Sequence, residues 1–201
     1  MKPSKTKPQP LYQLNVTLKD INPPIWRQLL VSSSITLHEL HEVLQLAMGW
    51  SDCHLYEFIK GENHFDPPDP EADRFGERKS MDSTKVPLSH VLTKPSDHME
   101  YLYDFGDGWE HDVVLEEILP PDPGRKTPVC LAGARACPPE DCGSTPGYEN
   151  LVEAMKNPKH PDREDLLNWL GTPYDPEQFD LALVNSDLEN PEKAWSRKTE
   201  S

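Results

Sequence analysis

The sequence predicts an α+β fold: a single domain with an antiparallel or mixed sheet of about five strands, one packing helix and a C-terminal helical cluster. Segments with strand character are concentrated in the first 120 residues, and segments with helix character are concentrated in the last 55. Such segregation is typical of α+β folds, whereas α/β folds alternate the two element types. The domain is predicted over residues 11–188, between a disordered basic tail at 1–10 and a polar tail at 189–201.

The first two strands flank a proline-rich loop. Residues 11–18 (LYQLNVTL) alternate apolar and polar side chains with period two, which predicts a half-buried strand. The run Asn22-Pro23-Pro24 breaks this strand. Residues 25–31 (IWRQLLV) predict a second strand, antiparallel to the first across the short loop.

A helix is predicted from Thr36 to about Gly49. Thr36 with Glu39 three residues later forms a capping-box pattern, and a glycine is a common helix terminator. Between them, apolar residues recur at helical spacing and give the helix one buried face. These residues are Leu37, Leu40, Val43, Leu44 and Ala47.

Three further strands are predicted, at 54–59, 99–103 and 109–119, the last two joined as a hairpin by an Asp-Phe-Gly-Asp-Gly turn. Between them we expect a long surface loop at 61–80 and a short helix or turn at 87–92. Residues 120–147 are rich in Pro, Gly and Cys and predict irregular structure. Helices follow at 148–157, 162–170 and 176–185, the last capped by Asp175.

Composition restricts the classes of partner. The net charge of −15 and the pI near 4.8 argue against direct binding to nucleic acid or to an anionic membrane surface. No stretch approaches the roughly 20 apolar residues of a membrane-spanning helix. The first ten residues lack the apolar core of a signal peptide, so we expect a cytoplasmic protein whose four cysteines are thiols or metal ligands rather than disulfides.

Two loops with unusual chemistry predict a polar cleft. The turn at 103–111 places acids, a Trp and a His around two glycines, and the loop at 137–143 reads CPPEDCG. His54 begins a predicted strand and is within reach of the acidic turn. The candidate cleft residues are Asp104, Asp107, Trp109, His111, Glu140, Asp141 and His54.

Two metal sites are possible alternatives within these loops. Asp104, Asp107 and His111 offer oxygen and nitrogen ligands for a divalent ion, although along a strand His111 shares its face with Trp109 and Val113. Alternatively, cysteine thiolates are zinc ligands, but their spacing here is wider than the usual pair in a zinc site. The three thiols in question are Cys130, Cys137 and Cys142.

An ordered set of short motifs resembles a known family. The motifs are Pro23-Pro24-Ile25-Trp26-Arg27, Met48-Gly49-Trp50 with His54-Leu55, Tyr103-Asp104-Phe105-Gly106-Asp107 with Trp109 and His111, and Cys137-Pro138-Pro139-Glu140-Asp141 with Gly147-Tyr148. In this order they are similar to the plasmid pRiA4b Orf-3-like family, also labelled the insertion-element passenger TnpR family. The resemblance covers about residues 10–188 and implies a compact α+β domain.

The leading functional hypothesis is a non-catalytic binding module, associated with plasmids or mobile elements, whose partner is a protein or a small ligand. A metal-dependent hydrolase that uses the Asp104, Asp107 and His111 turn with the Glu140 and Asp141 loop is the first alternative. A structural zinc protein is the second. DNA strand exchange is not expected, because a recombinase clusters arginines around a scissile phosphate and the seven arginines here are scattered.

Overall fold

The computed structural model describes residues 8–68, 80–172 and 174–199. Most of the predicted basic tail, residues 1–7, and part of the predicted surface loop, residues 69–79, lie outside the described residues. The predicted α+β class and single domain are confirmed. Among the described residues, no helix is both long enough and apolar enough to span a bilayer.

Among the described residues all strands join one sheet of eight, so the prediction of about five strands is wrong. Its order is β5-β4-β3-β6-β7-β1-β2-β8, and each neighbouring pair is antiparallel except the parallel pair β4–β5. The strands are β1 (Leu11–Leu18), β2 (Trp26–Ser32), β3 (Tyr56–Lys60), β4 (Asn63–Asp66), β5 (Met81–Asp82), β6 (His98–Tyr103), β7 (Trp109–Leu119) and β8 (Val129–Ala134).

The strands absent from the prediction lie within segments of loop composition. β4 and β5 have four and two residues and fall in or beside the proline-rich, acidic stretch that was expected to be a loop. β8 falls in the segment rich in Pro, Gly and Cys. Its outer edge is occupied by a side chain: Asn185 Oδ1 accepts Cys130 N–H at 2.8 Å, and Asn185 Nδ2 donates to Cys130 O at 2.9 Å.

Helix α1 (Leu37–Met48) forms as the sequence predicts and packs into the main core. Thr36 accepts Glu39 N–H and Glu39 accepts Thr36 N–H, which completes the capping box, a cap that stabilises a helix by about 1 kcal/mol. Gly49 has φ 104°, the left-handed conformation that ends the helix at low steric cost. Leu40 and Leu44 are fully buried against the inner face of the sheet.

The remaining helices are α2 (Leu88–Val91), α3 (Ser144–Lys156), α4 (Arg163–Leu170), α5 (Leu181–Glu189) and α6 (Pro191–Thr199). The helix predicted at 176–185 is misplaced, because Asp180 rather than Asp175 is the N-cap of α5. The polar tail predicted at 189–201 is helical in α6, where Ala194 is buried. Lys198 of α6 donates to Trp50 O at 2.5 Å, at the C-terminal end of α1.

Candidate functional site

Three loops meet at one end of the sheet. They are residues 49–55 after α1, residues 104–108 between β6 and β7, and residues 135–143 after β8. Strand pairing explains the first contact, because Tyr56 of β3 is paired with Tyr103 of β6. The residue before β3 therefore lies beside the residue after β6, and Asp104 N–H donates to Leu55 O at 2.9 Å.

Hydrogen bonds tie the loop after β8 to both of the others. Ser51 N–H donates to Glu140 Oε1 at 2.7 Å, which joins it to the loop after α1. Gly143 N–H donates to Asp107 Oδ2 at 3.1 Å, which joins it to the β6–β7 turn. The two segments that the sequence singled out for their unusual chemistry are thus in direct contact.

His54 lies where the three loops meet, and its Nε2 atom faces three carboxylates. The Nε2 atom is 3.2 Å from Asp141 Oδ1, 3.7 Å from Asp104 Oδ2 and 4.0 Å from Glu140 Oε2. This nitrogen is buried but forms no hydrogen bond of acceptable geometry with any residue that the structure describes. Because like charges repel, carboxylates gathered around one nitrogen need positive charge among them.

The backbone conformation of Asp104 aims its carboxylate at His54. Asp104 has φ 58°, the left-handed conformation that Asp and Asn adopt more readily than other non-glycine residues. Its Oδ1 accepts Gly106 N–H at 2.9 Å and its carbonyl accepts Gly108 N–H at 2.6 Å. The side chain is only 8% exposed, so Oδ2 is left pointing at the histidine from a fixed turn.

Glu140 and Asp141 are neighbours in the chain with different surroundings. Glu140 accepts Tyr103 O–H at 3.0 Å in addition to the Ser51 amide, so its carboxylate is held in place. Burial, and after it the Glu140 charge, raises the pKa of Tyr103 well above its usual value, so the hydroxyl stays a donor. Asp141 has φ 55° and a side chain 71% exposed, which makes it the solvent-facing member of the cluster.

Two overlapping sets of side chains offer ligand atoms within 4.8 Å of one another. One set is His54, Asp104 and Asp141, with one nitrogen and two carboxylate oxygens. The other is Cys53, His54 and Glu140, with a thiol in place of one carboxylate. Burial and the nearby Glu140 carboxylate raise the pKa of the Cys53 thiol, which favours the first set as the ligands of an ion at neutral pH.

A family model described as plasmid pRiA4b ORF-3-like protein matches residues 10–183. The chain belongs to this family. The match includes all three loops of the site and ends before α6.

Two relatives of this family member cover nearly its whole length. The uncharacterized protein y4hQ of Sinorhizobium fredii (strain NBRC 101917 / NGR234) is 38% identical over 188 residues, which are 92% of this chain and 94% of that protein. The crystal structure of a protein of unknown function, MM3350 from Methanosarcina mazei Go1, has a TM-score of 0.77 at 35% identity. That match covers 88% of this chain and 98% of the other.

In this member of the family, the cluster holds four of the predicted cleft residues: His54, Asp104, Glu140 and Asp141. Asp107 is at its margin, where its carboxylate accepts the Gly143 amide. The predicted combination of Asp104, Asp107 and His111 as ligands of one ion is not assembled, since His111 lies in the core.

Trp109 and His111 point into the core from β7. Their exposed fractions are 1% and 0%, and the rings pack around Trp50, whose centroid is 5.3 Å from that of His111 and 6.5 Å from that of Trp109. His111 Nδ1 lies 3.1 Å from Tyr101 O, whereas His111 Nε2 and Trp109 Nε1 have no hydrogen-bond partner among the described residues. Burial lowers the pKa of His111 to about 4, so the imidazole is neutral at pH 7.

The cysteines of the predicted zinc site are not brought together. Within residues 8–68, 80–172 and 174–199, no metal-ligand set contains Cys130, Cys137 or Cys142. Cys130 is buried on β8, and the Cys137 sulfur lies 3.2 Å from Met48 Sδ. Burial raises the pKa of Cys130 and Cys137 to about 11 and that of Cys142 to about 12, which disfavours the thiolate that zinc needs.

Sequence reasoning missed Ser51 and Tyr103 as members of the site, and it considered Cys53 only as a fourth ligand for the cysteine zinc site. Ser51 acts through its backbone amide, which carries no sequence signal. Tyr103 is a core strand residue by its alternation pattern, and only its hydroxyl reaches the cluster. Cys53 has a usable signal in its position directly before His54, since adjacent Cys and His are both metal ligands by type.

Proposed function

We propose that this protein binds a divalent transition metal ion, zinc foremost, between His54 Nε2, Asp104 Oδ2 and Asp141 Oδ1. One observation carries the proposal: His54 Nε2 is buried, faces carboxylate oxygens at 3.2 and 3.7 Å, and has no hydrogen bond within the described part of the chain. A histidine that simply formed an ion pair would be expected to donate a well-aligned hydrogen bond to one of these oxygens.

The separations of the ligand atoms support a tetrahedral ion. With metal–ligand bonds of about 2.0–2.1 Å, two ligands of a tetrahedral zinc ion lie about 3.3–3.4 Å apart. The distance from His54 Nε2 to Asp141 Oδ1 is 3.2 Å, and the distance to Asp104 Oδ2 is 3.7 Å. These two separations lie on either side of the tetrahedral value, and the third pair of ligand atoms lies within 4.8 Å.

The chemistry of the ligands favours zinc over magnesium or calcium. Magnesium and calcium prefer all-oxygen sets, whereas an imidazole nitrogen with carboxylates suits zinc and its first-row neighbours. Glu140, held by Tyr103 and Ser51 at 4.0 Å from His54 Nε2, supplies a further negative charge beside the ion without having to bind it.

The test is zinc titration of metal-free protein by calorimetry, with His54→Ala, Asp141→Asn and the control His64→Ala. His64 is a surface histidine paired with Glu57 outside the cluster. We expect one zinc per chain in the wild type and in His64→Ala, and no saturable binding in His54→Ala. Equal binding by wild type and His54→Ala, or no binding by either, contradicts the proposal.

A metal-dependent hydrolase is the second candidate function, and the exposure of Asp141 favours it. Three protein ligands leave a fourth position for water on zinc, and the 71% exposure of Asp141 indicates that this side of the cluster faces solvent. The check is hydrolysis of ester and phosphoester panels by zinc-loaded protein. Turnover in the wild type that disappears in His54→Ala supports a hydrolase, and zinc binding without turnover supports a non-catalytic binding module.

The family description supports an association with plasmids.

The surroundings of two arginines support the expectation that the chain is not a strand-exchange enzyme. Arg27 is buried and donates to Ala47 O at 2.8 Å and to Arg135 O at 2.9 Å. The Arg135 guanidinium lies 3.0 Å from Glu177 Oε1. Guanidinium groups that are already bound to backbone carbonyls or to a carboxylate are poorly placed to neutralise a scissile phosphate.

A further inference from the structure

A closed cycle of hydrogen bonds lies directly behind the candidate metal site. His41 Nε2 is 2.8 Å from Asp52 Oδ1, and His41 Nδ1 is 2.8 Å from the Tyr101 hydroxyl. Gln45 Nε2 is 3.0 Å from the same hydroxyl, and Gln45 Oε1 accepts Asp52 N–H at 2.9 Å. We call these four residues, His41, Gln45, Asp52 and Tyr101, the His41 network.

Only one arrangement of protons satisfies every member of the His41 network. The Asp52 amide is a donor, so the Gln45 side chain must present its oxygen there and its NH₂ to Tyr101. Asp52 as a carboxylate accepts, so His41 must carry its proton on Nε2. His41 Nδ1 is then the acceptor of the Tyr101 O–H.

Burial keeps the two ring-bearing members of the network neutral, as this arrangement requires. Burial lowers the pKa of His41 and raises the pKa of Tyr101 well above its usual value. The His41 imidazole is 1% exposed and stacks on Tyr56 with ring centroids 3.6 Å apart. A satisfied polar network in such a setting fixes its members in one geometry.

We propose that His41, Gln45 and Tyr101 are positioning residues for the metal site, which they serve by fixing Asp52 and hence His54 two residues later. The inference rests on the proposed metal function. Asp52 is held twice by side chains of α1, because Gln45 accepts its backbone N–H and His41 donates to its carboxylate. Tyr101 of β6 holds these two α1 side chains in turn. Both elements are rigid parts of the core, whereas Asp52 itself is exposed.

The loop has a specific need for such support. Asp52 has φ 54°, a left-handed conformation that costs a non-glycine residue free energy unless its surroundings stabilise it. The next residue is held as well, because Cys53 N–H donates to the Tyr103 hydroxyl at 3.3 Å. Partners behind metal ligands commonly decide how well those ligands are oriented.

The experiment compares zinc affinity in the wild type, Asp52→Asn, Asp52→Ala and Gln45→Leu. Asp52→Asn keeps an acceptor for His41 and tolerates the left-handed backbone, so we expect its Kd within about threefold of wild type. Asp52→Ala and Gln45→Leu each break the cycle, and we expect a Kd about 10- to 100-fold weaker with the stoichiometry unchanged. Equal affinities in all four proteins would overturn the proposal.

Nitrogen-15 NMR of the same proteins separates this inference from the proposed function. In the wild type we expect the His41 Nε2–H tautomer, and the other tautomer would overturn the network. If the wild type binds no zinc, the metal proposal fails on its own. Backbone heteronuclear NOE values at residues 52–54 then decide: values lowered in Asp52→Ala but not in Asp52→Asn support positioning, and unchanged values contradict it.

Discussion

Two histidines from the predicted cleft lie in opposite environments, although the same nitrogen in each has no hydrogen bond to any described residue. His54 Nε2 faces three carboxylates at the end of the sheet, while His111 Nε2 faces the aromatic core around Trp50. An unpaired buried nitrogen among acids is a place for a cation, and the same atom among aromatic rings is a cost to folding. An unpaired nitrogen therefore marks a candidate site only where the groups around it can bind a cation.

The largest expected effect tests whether the aromatic packing around His111 stabilises the fold. Trp50 is 2% exposed, packs on both Trp109 and His111, and donates to Pro138 O at 2.9 Å. Trp50→Ala should lower the free energy of unfolding by about 3–5 kcal/mol, because it leaves a large cavity. Chemical denaturation measures the change, and a loss below about 1 kcal/mol would contradict this packing.

A zinc-induced gain in stability separates the two histidines by function. At a free zinc concentration 100-fold above Kd, a metal that binds only the folded state raises the free energy of unfolding by about 2.7 kcal/mol. We expect this gain in the wild type and its loss in His54→Ala, with His111→Gln keeping the gain. Thermal unfolding with and without zinc measures this gain in stability. If His54→Ala is still stabilised by zinc, the two histidines do not differ in metal binding.

The pH dependence of stability should follow His111. Its pKa in the folded protein is about 4, below the unfolded value of about 6.5, so the stability is full above pH 6.5 and falls as the unfolded state takes up the proton. We expect a loss of about 2 kcal/mol between pH 6.5 and 5.

Urea unfolding of wild type and His111→Gln over this pH range measures that contribution. The variant cannot titrate at position 111, so its stability should fall less over the same range. His41, whose pKa burial also lowers, adds a loss of the same sign to both proteins. Identical slopes in the two proteins would show that His111 is not the group that titrates.

The smallest effect is expected at the solvent-facing side of the cluster. Asp141 is 71% exposed, so Asp141→Asn without metal should change the free energy of unfolding by less than about 0.5 kcal/mol. The same variant should weaken zinc binding. A large change in metal-free stability would show that the Asp141 carboxylate already stabilises the folded loop by itself.

The sequence predicts elements well where two independent signals agree. β1 and β7 have their predicted bounds because long alternation leaves little choice of register, and α1 has both a capping box and a terminal glycine. α5 was misplaced because Asp175 also has cap chemistry, although its Oδ1 accepts only Glu177 N–H in a turn. β8 had no signal, since a short run in a loop-like segment pairs only because β2 lies beside it.

The sequence predicts which residues form the site, but it does not predict that they come together in space. His54, Asp104, Glu140 and Asp141 stand out as polar residues in loops shaped by glycine and proline, but their convergence depends on sheet order. The alternation of side chains along β7 did indicate that His111 is buried, because His111 shares its face with Trp109 and Val113, and both are buried. The closed network around Asp52 had no signal, because the Tyr101 hydroxyl that completes it requires α1 and β6 to be neighbours in space.

The Asn185 side chain covers the outer edge of β8 at Cys130. Its amide takes both the donor and the acceptor of Cys130, as a neighbouring strand would. An incoming strand from a second copy would have to displace α5 before it could pair at this position. Exposed sheet edges recruit further chains into aggregates, so we expect this amide to hinder strand addition at Cys130.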